Sequence, residues 1–489
     1  MAKGKKTVSF RTFGCKLNQY DTDFLKQAFE DSGYEIRESG SADIAVINTC
    51  AVTSRSAAKC RQAIRRAVRA GARVLVTGCY PQVAKEELMD IPGVIGITGV
   101  LDRQALVDIA GKALSTGEAI VDVKPHQKGS VFEDTPVREP SLTRAFLKIQ
   151  EGCDDYCTYC IVPYARGPSR SRPLDAVLAE ARHLIDKGYR EIILTGTHIG
   201  LYGQDNVKQP EGLVAGPDSS PPGSPMAPGA SGHLQEKALK PGITSKNSGF
   251  SSRTRIPPDS RDSEKVDLAL VVRLLTRIEG LSRLRISSLE PHDVTPELIH
   301  CLRFPQVCHH LHLPIQSGSD MILKKMGRRY DVKAFLEIVE SVRKVAPDIG
   351  LSADVIVGFP GESEEDFRDT LEVIKIARFS RLHVFKYSDR PGTPASGFSG
   401  KVPAREKENR SKAVISLGRE LSLEFHRKLV SKTVEVLVED DRTTDGLLQG
   451  VTRNYVRTWF HGPDELKGEI AEVRGQKACD EGLFCELVL

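Results

Sequence analysis

The sequence lacks several features that would narrow its class. No run of apolar residues is long enough to cross a bilayer, which excludes a helical membrane span. The opening "MAKGKKTVSF" has lysines but no apolar stretch behind them. No secretory signal is therefore expected, and the expected compartment is the cytoplasm. The net charge is only +4 over 489 residues. Bulk charge is thus excluded as a means of holding nucleic acid, and only local patches remain. Eleven cysteines in a reducing compartment point to metal ligands, catalytic thiols or core residues rather than disulfides.

One loop stands out by what it is missing. "EGCDDYCTYCIVPYARG" places Cys153, Cys157 and Cys160 at C-x3-C-x2-C, with no fourth cysteine nearby. A structural zinc site wants four protein ligands. Three thiolates suit a cubane of four irons in which one iron stays free to chelate a small molecule. The alternative is a zinc loop with a remote fourth ligand such as His198.

The surroundings of that loop read as α/β. "TVSFRTFGC", "IAVINTC" and "RVLVTGC" are strand candidates, with an amphipathic stretch after Asn18 and a basic one from Ser54 to Ala70 between them. This predicts a parallel α/β domain over 1–123, followed by a polar linker over 124–140. "RAFLKIQEG" opens a second series, continued by "EIILTG", "RLRISSLE", "CHHLHLPI", "GLSADVIVGF" and "RLHVFKYS". Six strand–helix units over 141–400 predict a partial or full parallel barrel, whose ligands sit at the C-terminal strand ends. A long charged helix is expected over 401–432. The tail, 433–489, is β-rich and predicts a small barrel. Gln204 to Lys265 holds nine of the 27 prolines, ten serines and one aromatic, Phe250. That composition predicts a disordered insertion after the second barrel strand.

A second set of cysteines has its own logic. Cys15, Cys50 and Cys79 each end one strand of the first series. In a parallel sheet the C-terminal strand ends share one edge, so the three thiols are expected to converge. Gly14 and Gly78 beside them are expected to let a bulky group approach. A second three-ligand cluster is the favoured reading. Cys60, Cys301, Cys308, Cys479 and Cys485 read as small core residues.

The two triads together give the chain a family resemblance. "TFGCKLNQYDTD", "INTCAVT", "TGCYPQ", "GCDDYCTYCIVPYARG", "SSLEP", "LPIQSGSD", "MGRRY", "DVIVGFPGE" and "YSDRPGTPA" occur in that order. In this set the chain resembles the radical S-adenosylmethionine (SAM) methylthiotransferases over nearly its whole length, the insertion apart. The resemblance implies an N-terminal Rossmann-like α/β domain, a radical SAM partial (β/α)6 barrel and a C-terminal TRAM barrel that binds RNA. It implies two [4Fe-4S] clusters, an auxiliary one on Cys15, Cys50 and Cys79 and a SAM-binding one on Cys153, Cys157 and Cys160. It implies SAM as both methyl donor and source of a 5′-deoxyadenosyl radical, which reaches a C–H bond that acid–base catalysis does not. Tyr159 takes the aromatic place in the loop. Gly196, Ser288, Glu290 and Gln316, at barrel strand ends, become candidate SAM contacts, although Glu290 could equally pair with Arg166 or Arg328.

"GCKLNQYDT" resembles the MtaB-type branch, which acts on N6-threonylcarbamoyladenosine in tRNA. Other branches modify isopentenyladenosine in tRNA or an aspartate of a ribosomal protein. The implied partners are tRNA, an electron donor and a sulfur source, with no membrane. For RNA contacts the residues themselves offer two patches: Arg61, Arg65 and Arg69 on one helix face, and Arg453, Tyr455, Arg457 and Trp459 alternating along one strand. A non-catalytic alternative is an RNA-binding protein in which both triads hold structural zinc.

Overall fold

The computed structural model describes residues 5–38, 42–127, 129–205 and 266–488. The expected insertion lies outside them, apart from Gln204 and Asp205 at its start. No described helix is long and apolar enough to cross a membrane.

The first series runs β1 (Thr7–Thr12), α1 (Lys16–Asp31), β2 (Glu35–Ile36), β3 (Ile44–Thr49), α2 (Ser54–Arg69), β4 (Arg73–Gly78), α3 (Cys79–Ala84), α4 (Glu86–Met89), β5 (Val94–Thr98), α5 (Ala105–Thr116) and β6 (Ile120–Asp122). The strands form one parallel sheet in the order β2-β1-β3-β4-β5-β6. Every residue of β3, IAVINT, is buried, because helices cover both faces of a parallel sheet. Ile44 and Val46 pack with Leu25 and Phe29 of α1 and Leu106 and Ala110 of α5. Ala45 and Ile47 face the other way, against Ala57, Cys60 and Ile64 of α2 and Leu88 of α4. The strand period of two thus splits one apolar run between two cores.

The segment after β6 carries no helix or strand until Ala145 among its described residues. It is nevertheless tied down. The Tyr20 hydroxyl donates to the Thr135 carbonyl at 2.8 Å, and the Val137 N–H donates to Glu180 at 3.2 Å.

The second series is β7 (Ala145–Lys148), β8 (Gln150–Glu151), α6 (Val162–Arg166), β9 (Arg170–Ser171), α7 (Leu174–Asp186), β10 (Glu191–Thr195), α8 (Leu268–Leu275), β11 (Arg283–Ile286), α9 (Pro296–Cys301), β12 (His310–His312), α10 (Asp320–Met326), α11 (Val332–Val345), β13 (Gly350–Val357), α12 (Glu364–Ala377) and β14 (Arg381–Lys386). β7, β10 and β11 form one parallel sheet, and β12, β13 and β14 another. Parallel bridges Leu284–Val307 and Ser288–His312 join them. The six barrel strands therefore follow one another in sequence order, as in a partial (β/α)6 barrel. α13 (Ala404–Arg427) leads to β15 (Thr433–Arg442), β16 (Leu448–Thr452), β17 (Arg457–Phe460), β18 (Ile470–Ala478) and β19 (Leu483–Leu487). These five close into a barrel around Val436, Val438, Leu448, Phe460 and Val473.

Candidate functional site

Parallel pairing of β1, β3 and β4 carries Cys15, Cys50 and Cys79 to one edge of the sheet, each directly after its strand. Cys50 and Cys79 are buried and Cys15 is exposed. The three thiols act on one another electrostatically. Burial pushes the Cys50 thiol up and the Cys79 thiol up to about 11. The neighbouring glycines serve a different purpose from the expected one. A Cβ on Gly78 (φ 98°) would lie 2.4 Å from Asn48 Oδ1, and one on Gly14 (φ 113°) would lie 3.0 Å from both Asn18 Nδ2 and Cys50 Cβ. Protein atoms already fill that space, so the glycines admit Asn18 and Asn48 rather than a ligand. Asn18 fastens the edge by donating to the carbonyls of Phe13 at 2.6 Å and Thr49 at 2.9 Å.

The second triad sits on the loop after β8. Gly152 (φ 86°) makes the turn into it, where a Cβ would fall 1.9 Å from the Pro168 carbonyl oxygen. The loop is pinned at both ends. Cys153 N–H donates to Gly167 at 3.0 Å, and Thr158 N–H donates to the Met326 carbonyl at the end of α10 at 2.9 Å. Cys160 lies in the field of both Cys157 and Cys153, and burial pushes its thiol up to about 12. Arg328 donates to Cys157 Sγ at 3.4 Å and to Tyr159 Oη at 3.4 Å. It also pairs with Glu290, which settles the partner of that carboxylate as Arg328. Arg166 pairs with Glu151 at 2.5 Å instead.

The other candidates around this loop differ in placement. Ser288 is exposed just beyond β11, beside its bridge partner His312. Gln316 is buried, with left-handed backbone (φ 63°) that bridges to Val355. A Cβ on Gly196 would strike Gln150 Oε1 at 2.9 Å, so its smallness is used by Gln150. His198 stands 3.4 Å from Cys153 Sγ, close enough to raise the zinc alternative. Its ring nitrogens are engaged by Asp155 and Asp293. Burial opposes a charge there, but these hydrogen bonds outweigh it and push the pKa up to about 12.

Among the described residues, the groups of three ligand atoms lying within 4.8 Å of one another are Cys153, Asp155 and His198, and His198, His292 and Asp293; neither thiol triad is among them. A tetrahedral zinc with bonds of about 2.3 Å holds its sulfurs roughly 3.8 Å apart. A wider, all-thiol set of three suits an iron–sulfur cubane.

Arg166 lies between the triads. It ends α6, six residues beyond Cys160, and donates to Asn18 Oδ1 at 2.6 Å. It also acts directly on the thiols of Cys79 and Cys15. Ile161 and Ala165, on the same segment, complete the core that contains Cys79 and Tyr80. Behind Arg166 runs a buried charge network: Arg103 with Asp21 at 2.9 Å and Glu151 at 2.7 Å, and Lys148 with Asp21 at 3.0 Å and Glu151 at 2.9 Å. Sequence reading missed this network. Its members come from separate segments, and their charges show no period.

The proposed RNA patches fare unequally. Arg65 and Arg69 are exposed on α2, whereas Arg61 pairs with Glu87 at 2.9 Å and lies against Tyr80. On the tail, the expected common face of Arg453, Tyr455, Arg457 and Trp459 does not form. β17 begins only at Arg457, because Tyr455 is left-handed (φ 69°) and turns the chain. The Tyr455 ring stacks on His310 at 4.4 Å and lies under the Arg285 guanidinium at 4.8 Å. Arg453 pairs with Glu435 at 3.3 Å and donates to the Pro305 and Val307 carbonyls. Both residues dock the tail on the barrel. Arg457 is exposed, and Trp459 leans on the exposed Phe484 at 5.1 Å, outside the small barrel's core.

Comparison with known proteins adds to this geometry. Residues 7–99 match the sequence profile described as uncharacterized protein family UPF0004, and residues 147–215 and 257–374 match the radical SAM superfamily. The chain is 36% identical to the threonylcarbamoyladenosine tRNA methylthiotransferase MtaB of Bacillus subtilis, over 99% of this chain and 97% of that protein. It is 32% identical to the MtaB of Thermotoga maritima, over 98% and 96%. It is also 32% identical to the tRNA-2-methylthio-N(6)-dimethylallyladenosine synthase of a Thermoanaerobacter species, over 96% and 91%. Among solved structures, the radical SAM methyltransferase TsrM of Kitasatospora setae superposes with a TM-score of 0.52 at 14% identity, covering 80% of this chain and 77% of that one, which is a likeness of fold. With two thiol triads on two parallel α/β frames and relatives that match from end to end, the chain belongs to the radical SAM methylthiotransferases.

Proposed function

We propose that this protein transfers a methylthio group to C2 of N6-threonylcarbamoyladenosine in tRNA. Family membership brings SAM and a [4Fe-4S] cluster, and with them the radical chemistry that opens an unactivated C–H bond. Cys153, Cys157 and Cys160 would hold that cluster, with Arg328 beside Cys157 and His198 beside Cys153. Cys15, Cys50 and Cys79 would hold the auxiliary cluster. The observation that carries the reading is the convergence of these three strand-end thiols on one sheet edge, where Cys79 and Cys15 act on Arg166, which ends the helix after the other triad.

The choice of nucleoside rests on two supports. Relatives named for threonylcarbamoyladenosine match at 36% and 32%. The residues after the first cysteine, Lys16, Leu17 and Asn18, resemble that branch. The electron donor and sulfur source act from outside the chain, and the exposed Arg65, Arg69 and Arg457, with the half-buried Trp459, are the candidates for tRNA contact.

Mass spectrometry of tRNA nucleosides from cells with and without the protein tests the reading. Loss of the 2-methylthio form of threonylcarbamoyladenosine is expected. Loss of the isopentenyl form alone would move the protein to the other tRNA branch. A colourless, zinc-only protein after anaerobic purification would refute the clusters.

A further inference from the structure

β14 is the last of the barrel strands, and its two faces are told apart by their partners. Leu382 lies against Gly418 of α13, where an added Cβ would come within 3.3 Å of it, and Lys386 pairs with Glu408 of the same helix at 2.7 Å. Residues 382, 384 and 386 therefore face α13, and period two turns Arg381, His383 and Phe385 to the inside of the barrel. The rings of His383 and His312 stand 5.7 Å apart, and His312 pairs with Asp354 at 3.3 Å, so these three form one polar layer of the interior. The next layer, nearer the C-terminal strand ends, is apolar. It holds Phe385 beside Ile356, its partner in register on β13.

Ile356 packs with Tyr159 of the cysteine loop, together with Phe359 and Tyr387. Tyr159 and Tyr387 each lie edge-on to Phe359, at 6.5 and 5.3 Å. Phe385 stays outside that cluster. It is 42% exposed and has no aromatic partner among the described residues. Three residues further on, the chain reaches the N-terminal domain: Ser388 Oγ accepts from the Ser54 N–H at 3.3 Å, and Ser54 opens α2 four residues after Cys50. Phe385 thus stands between the loop of one triad and the edge that carries the other. Among the described residues β14 pairs only with β13, so the ring lies on the open side of the barrel.

A parallel barrel ordinarily fills its interior with its own side chains, so an uncovered ring there offers its face to something else. A nucleobase suits that face. Chemistry on a base requires the base to leave its stack, and the protein then holds it against aromatic or apolar side chains. We infer that Phe385 stacks on the target adenine and holds it in the gap between the two triads. This rests on the proposed tRNA substrate but not on the substituent at N6.

The test uses full-length, anaerobically reconstituted protein and three anticodon stem-loop RNAs. At the target position one bears threonylcarbamoyladenosine, one isopentenyladenosine and one an abasic sugar. RNA binding is read by fluorescence anisotropy at fixed salt, SAM binding by equilibrium dialysis and product by mass spectrometry. The unaltered protein is expected to bind whichever modified RNA it methylthiolates on the order of tenfold or more tighter than the abasic RNA, the scale of one stacked base. Phe385→Leu is expected to lose most of that difference while binding the abasic RNA and SAM as before, and Phe385→Tyr to keep it. Equal binding of the abasic and modified RNAs by the unaltered protein would overturn the inference, whatever the variants do. So would a Phe385→Leu protein that keeps the preference, or one that loses affinity for SAM instead, which would assign the ring to the adenine of SAM. Product from the isopentenyl RNA alone would overturn the choice of nucleoside, and the stacking would then stand or fall on that RNA by the same comparison. Product from neither RNA would overturn both.

Discussion

Glu151→Gln is the substitution that most directly probes how the two cysteine triads are held together. The Glu151 carboxylate accepts from Arg166 at 2.5 Å, Arg103 at 2.7 Å and Lys148 at 2.9 Å, with Arg170 at 3.9 Å. Its side chain is 1% exposed, and the first three partners are at 2% or less. Glutamine keeps the shape but removes the charge. Asp21 and Glu133 are then left to face four buried cations. Breaking a buried network by removing one partner costs about 3–5 kcal/mol, because the remaining charges stay buried and uncompensated. Chemical denaturation followed by far-ultraviolet circular dichroism reads that loss. The pH dependence gives an independent check. Burial alone would raise the Glu151 carboxyl, but Arg103, Lys148 and Arg166 outweigh it and hold it well below the usual range, and Asp21 is likewise lowered. A lowered folded-state pKa contributes stability that is full above the unfolded value of about 4 and is lost as pH falls through the folded value. The native protein should therefore lose stability steeply on acidification below about pH 4, and Glu151→Gln less steeply. A loss under about 1 kcal/mol with an unchanged acid limb, as for a surface pair, would refute the argument.

Cys157→Ala is expected to remove about half the iron and abolish SAM cleavage while the auxiliary cluster survives; iron near zero in a folded protein would show that the two sites are not independent. Deleting residues 206–265 and joining the ends is expected to leave folding and tRNA modification intact, because a Cβ on Gly203 would lie 1.8 Å from the Val266 carbonyl and the flanks already meet. Loss of modification in a cooperatively melting deletion would count against this. Trp459→Ala is expected to weaken tRNA binding by roughly tenfold without changing SAM cleavage, whereas Tyr455→Ala is expected to lower thermal stability, since that ring is stacked on His310; unchanged binding by Trp459→Ala and Arg457→Ala, with the tail folded, would exclude the outer tail face as an RNA contact.

The strands and both thiol triads were legible because their signals are local. Cys15, Cys50 and Cys79 each close a short apolar run, and parallel topology alone brings them to one edge, while Cys153, Cys157 and Cys160 share one short loop. The tail misled because period-two alternation was assumed to start at Arg453. The turn chemistry was present in the sequence, with Asn454 accepting from Thr452 Oγ1 at 2.6 Å and the Tyr455 N–H returning to the Thr452 carbonyl at 3.0 Å. Arg103, Asp21, Lys148 and Glu151 could not be read in advance. An ion pair between residues 21 and 103 leaves no trace in spacing, and buried charges look like surface charges until the fold encloses them.

The segment from Cys160 to Arg166 explains why the N-terminal sheet and the barrel work as one body. Transfer of a group to a carbon-centred radical needs the reacting atoms near contact, and a misplacement of about 1 Å is costly. Two clusters on independently moving domains would not meet that demand. Here the loop that carries one triad continues into Ile161 and Ala165, which are core residues of the domain that carries the other. It ends at Arg166, bonded on one side to Glu151 of the barrel and on the other to Asn18 beneath Cys15. Apolar packing sets the approach of the two frames, and the charge network fixes its register, because Arg103 and Asp21 from one frame meet Lys148 and Glu151 from the other only in a single alignment. On the proposed assignment, the distance between the two clusters is thus set by a seven-residue segment that belongs to both domains at once.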